Sequence, residues 1–400
     1  MRIFKLLVIC VLIFIMILSH YIRTTKENEL KIQQNKPIHI FIDCATGPML
    51  QQIIHMLNLP KDEKKIVGYI HFNQNPSFNA EKYNIHFLNI PNTPGKWTGY
   101  ELIDQAYFKI NTILNQNTNA QFIIHTNLHH SRNFLSKLST IPIKNIKMVH
   151  LYEDGIGNHV ASRFEQLNKY NFNLQEHKPN NFDYDWPYFL HLKYNVTYHF
   201  AFVEDIKSDF KKLYNLVKTA TIEETNLYQL KKTLSDDIKK DLAQFYKLNL
   251  TFWEILFKNP KYNQGKKKVI LLGSRPMSNL NYESELNLYK ELISKGDYYY
   301  FFKPHPHHSA LRFAQDLKKE IKDFVVIPNE VPIELFYLID LEPDYIAGYS
   351  SSVFLSLPKN EFLYYIKRSH DDVYLPFLLK KGIISPDKVI DKHLPPQDLK

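Results

Sequence analysis

Met148-Val149-His150-Leu151-Tyr152-Glu153-Asp154-Gly155 is a short apolar run that stops at an acid-acid-Gly turn. A second stretch answers it in the other half of the chain: Tyr298-Tyr-Tyr-Phe-Phe302 runs straight into Lys303-Pro304-His305-Pro306. Each reads as a buried strand followed at once by polar, conformationally restricted residues. In open α/β sheets ligands bind beyond the carboxyl ends of the strands, so both turns fall where chemistry is expected. The pair decides the fold: two α/β lobes, one offering a base and the other an acid across a shared cleft.

Working outward, strand and helix patterns alternate on both sides. Ile38-His-Ile-Phe-Ile-Asp43 predicts a strand, and Met49, Leu50, Ile53, Ile54 and Leu57 recur at helical spacing. Ile66–Ile70, Ile85–Leu88 and Phe122–His125 continue the strand series. Leu102, Ala106, Tyr107, Ile110, Ile113 and Leu114 mark one helix face between them. Residues 157–200 are rich in Asn and aromatics and less periodic, and 205–258 are helical in pattern. Lys261-Tyr-Asn-Gln-Gly-Lys-Lys-Lys268 is the best interdomain linker. A second series starts at Val269–Leu272 and continues through Tyr298–Phe302, Phe324–Ile327, Tyr345–Ala347 and Phe362–Ile366. Repeated βα units of this kind imply parallel sheets covered on both faces.

Composition narrows the function. An apolar content of 44% with 14% aromatics describes a packed protein, and 400 residues favour two domains. With 11 glycines, the chain contains neither a G-x-G-x-x-G nor a Walker-type phosphate loop. The net charge of +9 favours anionic partners, but the lysines are dispersed and no nucleic-acid module stands out. Cys10 and Cys44 cannot build a disulfide framework or a thiolate metal site. Leu6 to Ile22 is an apolar stretch of about 17 residues between basic flanks, near the lower limit for a spanning helix. It reads as an uncleaved membrane anchor over residues 1–23 followed by a polar stem over 24–36, with a cleaved signal peptide as the alternative.

Three constellations carry chemistry. Glu153-Asp154-Gly155 is on its own an ordinary solvated turn or helix cap; in a cleft it supplies a general base, with Gly155 letting the chain turn close to a ligand. In Lys303-Pro304-His305-Pro306 two prolines restrict the backbone around one imidazole, which pre-orders a His that can stabilise a departing phosphate. Gly348-Tyr349-Ser350-Ser351-Ser352 precedes a helical run and offers hydroxyls and N–H groups to a phosphate; an ordinary Ser cap fits the segment equally well. His129-His130 with His307 and His308 make a weak metal motif, and Asp183-Tyr-Asp185 reads as a solvated loop.

Taken in order, these segments resemble the bacterial sialyltransferases of glycosyltransferase family 80, related to family 52. Ile42-Asp43-Cys-Ala-Thr46, Ile124–Ser131 with His130, Lys193–Phe200, Asn329–Glu334, Ser350–Lys359 and Gly382–Val389 extend the resemblance over roughly residues 37–390. It implies two Rossmann-like lobes of the GT-B type, residues 37–265 on the acceptor side and 266–375 binding CMP, with 376–400 packing back on the first lobe. It implies an inverting, metal-independent transfer from CMP-sialic acid to a galactose-terminated glycan such as a lipooligosaccharide, with an α2,3 linkage, at the bacterial inner membrane with the catalytic part facing the cytoplasm. The resemblance makes Glu153 the general base and places His305 at the leaving phosphate. It makes Asp43, Thr46, His130, Asp154, Gly155, Gly273, Ser274, Lys303, Pro306, Glu334, Ser351 and Ser352 substrate contacts. The chain departs from the family where Glu153 stands for the usual Asp, where Pro304 replaces Gly, and where Gly273-Ser-Arg-Pro276 occupies the place of an acceptor-side Trp. A transferase for another nucleotide-activated sugar, or a membrane-tethered glycan-binding protein without turnover, are the competing readings.

Overall fold

The structure is a computed structural model that describes residues 36–70, 74–88, 90, 99–128, 143–153, 190–192, 194–201, 207, 211–274, 279–305, 309–321, 324–351, 353–357, 362–367, 372 and 374–391. The first lobe carries seven parallel strands in the order β3-β2-β1-β4-β5-β6-β7. These are β1 (Ile38–Asp43), β2 (Lys65–Tyr69), β3 (Ile85–Phe87), β4 (Phe122–Asn127), β5 (Ile146–Tyr152), β6 (Val196–Phe200) and β7 (Thr221–Glu224). Helix α1 (Thr46–Asn58) joins β1 to β2, and α2 (Gly99–Gln116) precedes β4. The second lobe has six parallel strands in the order β10-β9-β8-β11-β12-β13. They are β8 (Lys268–Leu272), β9 (Tyr299–Lys303), β10 (Phe324–Val326), β11 (Tyr345–Tyr349), β12 (Phe362–Ile366) and β13 (Val389–Ile390).

Both sheets reverse strand order in the middle, between β1 and β4 in the first and between β8 and β11 in the second. Such a switch point leaves a crevice beyond the strand ends, because helices on either side depart in opposite directions. The strands pack by alternation. Ile40 and Ile42 face a core with Ala106, Ile110 and Leu114, while Phe41 faces the opposite side with Met49 and Ile53. In β8, Val269 and Leu271 face Leu286 and Phe313, whereas Ile270 and Leu272 join the cluster containing Phe41. That shared cluster runs through both lobes.

The helices between the lobes account for the continuity. They are α4 (Leu227–Lys232), α5 (Asp236–Phe245) and α6 (Leu250–Lys258), following α3 (Lys211–Val217). Asn226, Ser235 and Asn249 cap their N-termini by accepting from backbone N–H groups. Asp241 of α5 accepts from Tyr83 and Lys82 of the first lobe. Trp253 and Phe257 of α6 lie 6.1 and 4.5 Å from the Phe301 ring of β9. Lys239 Nζ reaches Asp340 at 2.6 Å in the second lobe. The helices ahead of the expected linker at 261–268 therefore already pack on the second lobe, and residues 227–258 contact both halves. Val389 and Ile390 pair with Tyr365 and Ile366 of β12, because β13 completes the second sheet's hydrogen-bonded edge; residues 392–400 lie outside the described ones.

Among the described residues no helix is long and apolar enough to cross a membrane. Leu6–Ile22 is not among them. Three strands escaped the sequence reading: β6 in the less periodic stretch, β7 in the helical one, and β13 beyond the last strand of the second series.

Candidate active site

The turn after β1 is built by its own acid. Asp43 is buried, and its Oδ1 accepts the N–H groups of Cys44 at 2.7 Å and Ala45 at 2.9 Å. The Gln52 amide donates to the other carboxylate oxygen. Two N–H groups at the start of α1 are thereby satisfied from the preceding strand end. The residues that this turn presents to the cleft are Thr46, Gly47, Pro48 and Gln51. Asp43 itself is not among the lining residues; it holds the turn that carries them. Gln51 is itself oriented by Thr225, whose hydroxyl donates to Oε1 at 3.0 Å.

Glu153 stands where β5 ends, beside Ala201 after β6. Its backbone N–H donates to His199 O at 3.1 Å, and its Oε2 accepts from Ala201 N–H at 2.9 Å. The side chain is 2% exposed yet lines the cleft. A carboxylate held this way is aimed, with little freedom to swing away from a hydroxyl in the cleft.

The second lobe supplies the opposite wall. Gly273, at the end of β8, lines it, but Ser274 does not; Ser274 is buried, with its N–H and Oγ donating to Glu285 at 3.1 and 2.6 Å. Ser274 thus supplies donors to both oxygens of a buried acid on α7 (Asn279–Ser294). Lys303 closes β9 with its ammonium donating to Pro304 O at 2.7 Å and Asn329 O at 2.9 Å. Burial lowers its pKa to about 8, while Glu330 and Glu334 pull it back upward. His305 is exposed and lines the cleft.

Glu334 sits in the first turn of α8 (Ile333–Leu338) and accepts from Ser356 Oγ at 2.8 Å. Ser351 lines the cleft, and its Oγ accepts Val353 N–H at 3.3 Å. The helix behind it, α9 (Val353–Ser356), is one turn long. The expected helix-terminus phosphate site therefore reduces to hydroxyls placed beside a buried ammonium, since a single turn has little macrodipole. Gly348 makes this turn possible: its φ is +126°, and a Cβ there would lie 2.4 Å from Leu272 O. Asp372 holds it from behind, accepting from Ser350 Oγ at 3.2 Å, Tyr365 OH at 2.8 Å, and the Tyr374 N–H at 3.1 Å.

One cleft of about 1060 Å³, counting its open mouth, is therefore lined by Thr46, Glu153, Gly273, Lys303, His305, Glu334 and Ser351. His130, Asp154, Gly155, Pro306 and Ser352 lie outside the described residues. Gln51, Ala201, Asn329 and Ser356 also line the cleft without having been assigned roles. Asp372 carried a usable signal, an acid two residues ahead of a helical run.

Residues 188–375 match the protein family "Sialyltransferase PMO188". Over that stretch, just under half of the chain, the protein is similar to the sialyltransferases, which are glycosyltransferases. The matched stretch contains Lys303, His305, Glu334 and Ser351, while Glu153 precedes it. No curated protein matches the chain. Among solved structures it is similar to the Photobacterium sp. JT-ISH-224 2,6-sialyltransferase in complex with CMP and lactose, at 15% identity and TM-score 0.69, over 89% of this chain and 78% of that one. It is also similar to the Photobacterium phosphoreum α/β-galactoside α-2,3-sialyltransferase, at 19% and 0.68, over 89% and 98%. The GT-B domain of the Photobacterium damselae sialyltransferase follows at 19% and 0.62, over 88% and 99%. At such identities these likenesses establish the fold: two parallel-sheet Rossmann-like domains of the GT-B type.

Proposed function

We propose that this protein is a sialyltransferase that moves sialic acid from CMP-sialic acid to a terminal galactoside with inversion, forming an α2,3 linkage. The observation that carries the reading is the shared cleft: Glu153 comes from one lobe, Lys303 and His305 from the other, and all three line the same space. Glu153 takes the proton of the attacking galactose hydroxyl. The bond from the anomeric carbon to the phosphate oxygen breaks as the new one forms, through an oxocarbenium-like state. Lys303, His305 and Ser351 stabilise the charge that grows on CMP, charge-assisted donors being roughly twice as strong as neutral ones. These groups suffice for one phosphate, so the proposed step uses no metal. In this reading Glu334, which lines the same cleft, meets the nucleoside end of CMP. Ala201 N–H holds the Glu153 side chain, which is one methylene longer than Asp.

The acceptor we propose is a surface glycan of the lipooligosaccharide kind, with Leu6–Ile22 anchoring the chain in the bacterial inner membrane and the catalytic part on the cytoplasmic side. Incubation of the full chain with CMP-sialic acid and lactose tests the core of this reading. The expected product is sialyl-lactose by mass spectrometry, cleaved by an α2,3-specific sialidase. Release of UDP from UDP-sugars but no CMP from CMP-sialic acid would replace the donor. Nucleotide binding without turnover of any donor would reduce the protein to a binder.

A further inference from the structure

Gln51 and Gln52 are neighbours on α1 with different surroundings. Gln52 is fully buried and its amide donates to Asp43, so it belongs to the turn after β1. Gln51 is half-buried and lines the cleft. Adjacent helical residues point about 100° apart, which sends one side chain inward and leaves the other at the opening.

The sheet holds Gln51 where it holds the base. Thr225 is the first residue past β7; its backbone N–H donates to Phe200 O at 2.9 Å and its hydroxyl to Gln51 Oε1 at 3.0 Å. Phe200 ends β6, and the next residue, Ala201, gives its N–H to Glu153 Oε2 at 2.9 Å. The carboxylate and the Gln51 amide are therefore tied to two neighbouring strand ends. Strands β5, β6 and β7 are consecutive in the sheet, and neighbouring strands lie about 4.8 Å apart, so one sugar ring spans the distance. A glutamine amide offers one acceptor oxygen and two N–H donors. Thr225 takes the oxygen, and among the described residues nothing accepts from the nitrogen. The first lobe lines the cleft with Thr46, Gly47, Pro48, Gln51, Glu153 and Ala201, none of them cationic. A neutral donor on a wall without positive charge suits a hydroxyl oxygen better than a phosphate, for which charged donors wait on the other lobe.

We propose that Gln51 is a specificity-determining residue: its amide donates to a ring hydroxyl of the acceptor galactoside adjacent to the attacking one, and so selects which hydroxyl Glu153 deprotonates. Thr225 is the positioning residue that turns the amide. The inference rests on the cleft being a sialyltransferase site and adds to that reading what distinguishes one hydroxyl of the acceptor from the next. One hydrogen bond to Glu153 fixes an oxygen but lets the ring swing about it; a second bond from Gln51 fixes the ring. A galactoside that turned a different hydroxyl toward Glu153 would leave the amide donors facing carbon, and such unpaired donors are what reject a wrong orientation.

Steady-state transfer by the full chain to methyl β-galactoside and to its 2-deoxy and 4-deoxy analogues tests this. The wild type should lose about 3- to 10-fold in kcat/KM with one of the two analogues, the worth of one neutral hydrogen bond. Gln51→Leu should lose as much with the intact acceptor, through KM, and should be indifferent to that deoxygenation. Its product should contain a second linkage isomer, read with linkage-specific sialidases, while its CMP affinity stays at the wild-type value. Thr225→Val should shift the acceptor KM in the same direction, and Thr225→Ser should restore it. Gln51→Asn, which retracts the donors by one methylene, gives the same comparison where Gln51→Leu does not fold. A Gln51 variant that treats all three acceptors as the wild type does, or loses equally with each and keeps one linkage, overturns the proposal. So does a raised KM for CMP-sialic acid alone, which would place the amide on the donor. A wild type that neither releases CMP nor transfers sialic acid fails earlier, at the sialyltransferase reading, and the proposal falls with it.

Discussion

Raising the pH should strengthen the fold and weaken nucleotide binding at once, because both depend on the same ammonium. Lys303 titrates near 8 in the folded protein against 10.5 when unfolded, chiefly because its charged form is buried. Its folded pKa is depressed, so below pH 8 the lysine is protonated in both states and the burial penalty is fully present. Between pH 8 and 10.5 the unfolded chain holds a proton that the folded one has released, and stability rises with pH. The gap of 10.5 − 8 = 2.5 units corresponds to about 3 kcal/mol, with other groups held constant. Binding runs the other way. A CMP phosphate beside Lys303 favours the charged amine, so above pH 8 the ligand must bring a proton with it. For a free-enzyme pKa of about 8 the apparent Kd scales as 1 + 10^(pH − 8), which is roughly tenfold weaker at pH 9 than at pH 7. Calorimetry in buffers of different ionisation enthalpy should find about 0.9 proton taken up per CMP at pH 9 and about 0.1 at pH 7. Lys303→Met should show weak binding with no slope above pH 8. A wild-type Kd that is flat from pH 7 to 9, without proton uptake, would refute the placement of this charge at the phosphate.

Three substitutions separate chemistry from scaffold. Glu153→Gln keeps the acceptor for Ala201 N–H but removes the base, so turnover should fall ~10²–10⁴-fold with the melting temperature and CMP affinity retained; single-turnover kinetics measure it. Gly348→Ala drives a Cβ to 2.4 Å from Leu272 O and 2.6 Å from Leu272 N at a φ of +126°, with backbone on the far side. It should cost about 3–5 kcal/mol in a denaturant titration, because neither the strand pair nor the dihedral can relax alone. Asp43→Ala frees the N–H groups of Cys44 and Ala45, and a loss of about 2–4 kcal/mol is expected together with a raised KM for the acceptor, since Thr46 and Gln51 hang from that turn.

Much of this was legible in the sequence for one reason: buried parallel strands are apolar throughout, and their ends are polar. Val269–Leu272, Tyr299–Lys303 and Ile38–Asp43 announce themselves that way, and the turns after them carry the cleft. The same logic hid β6, where Thr197 and His199 are buried among Val196, Tyr198 and Phe200, so neither a continuous apolar run nor an alternation shows. It hid β7 too, an edge strand whose Thr221 and Glu223 face solvent and blunt the edge. Asp43 and Ser274 show the other blind spot. A polar residue at a strand end either meets a ligand or is consumed by nearby protein groups, and composition is identical in the two cases. Only the 2.7–2.9 Å bonds to Cys44 and Ala45, or the 2.6 Å bond to Glu285, decide between them.

A cluster of five histidines inside the first lobe marks where sequence reading stops altogether. His39, His125, His150 and His199 each lie alone in a strand and His55 in α1, and a lone histidine among apolar residues reads as an ordinary core residue. What brings His125 opposite His150 is a single irregularity: Phe122 pairs with Ile146 but Ile123 pairs with Met148, so β5 skips Lys147. In an uninterrupted register His125 would face Val149, and because successive side chains point to opposite faces, the His150 ring would stand beyond its reach. The bulge also moves Tyr152 opposite Asn127 and leaves Glu153 as the first residue past the sheet. One extra residue in β5 thus sets both the histidine cluster and the position of the base, which is why the two are expected to respond together when that strand is shifted.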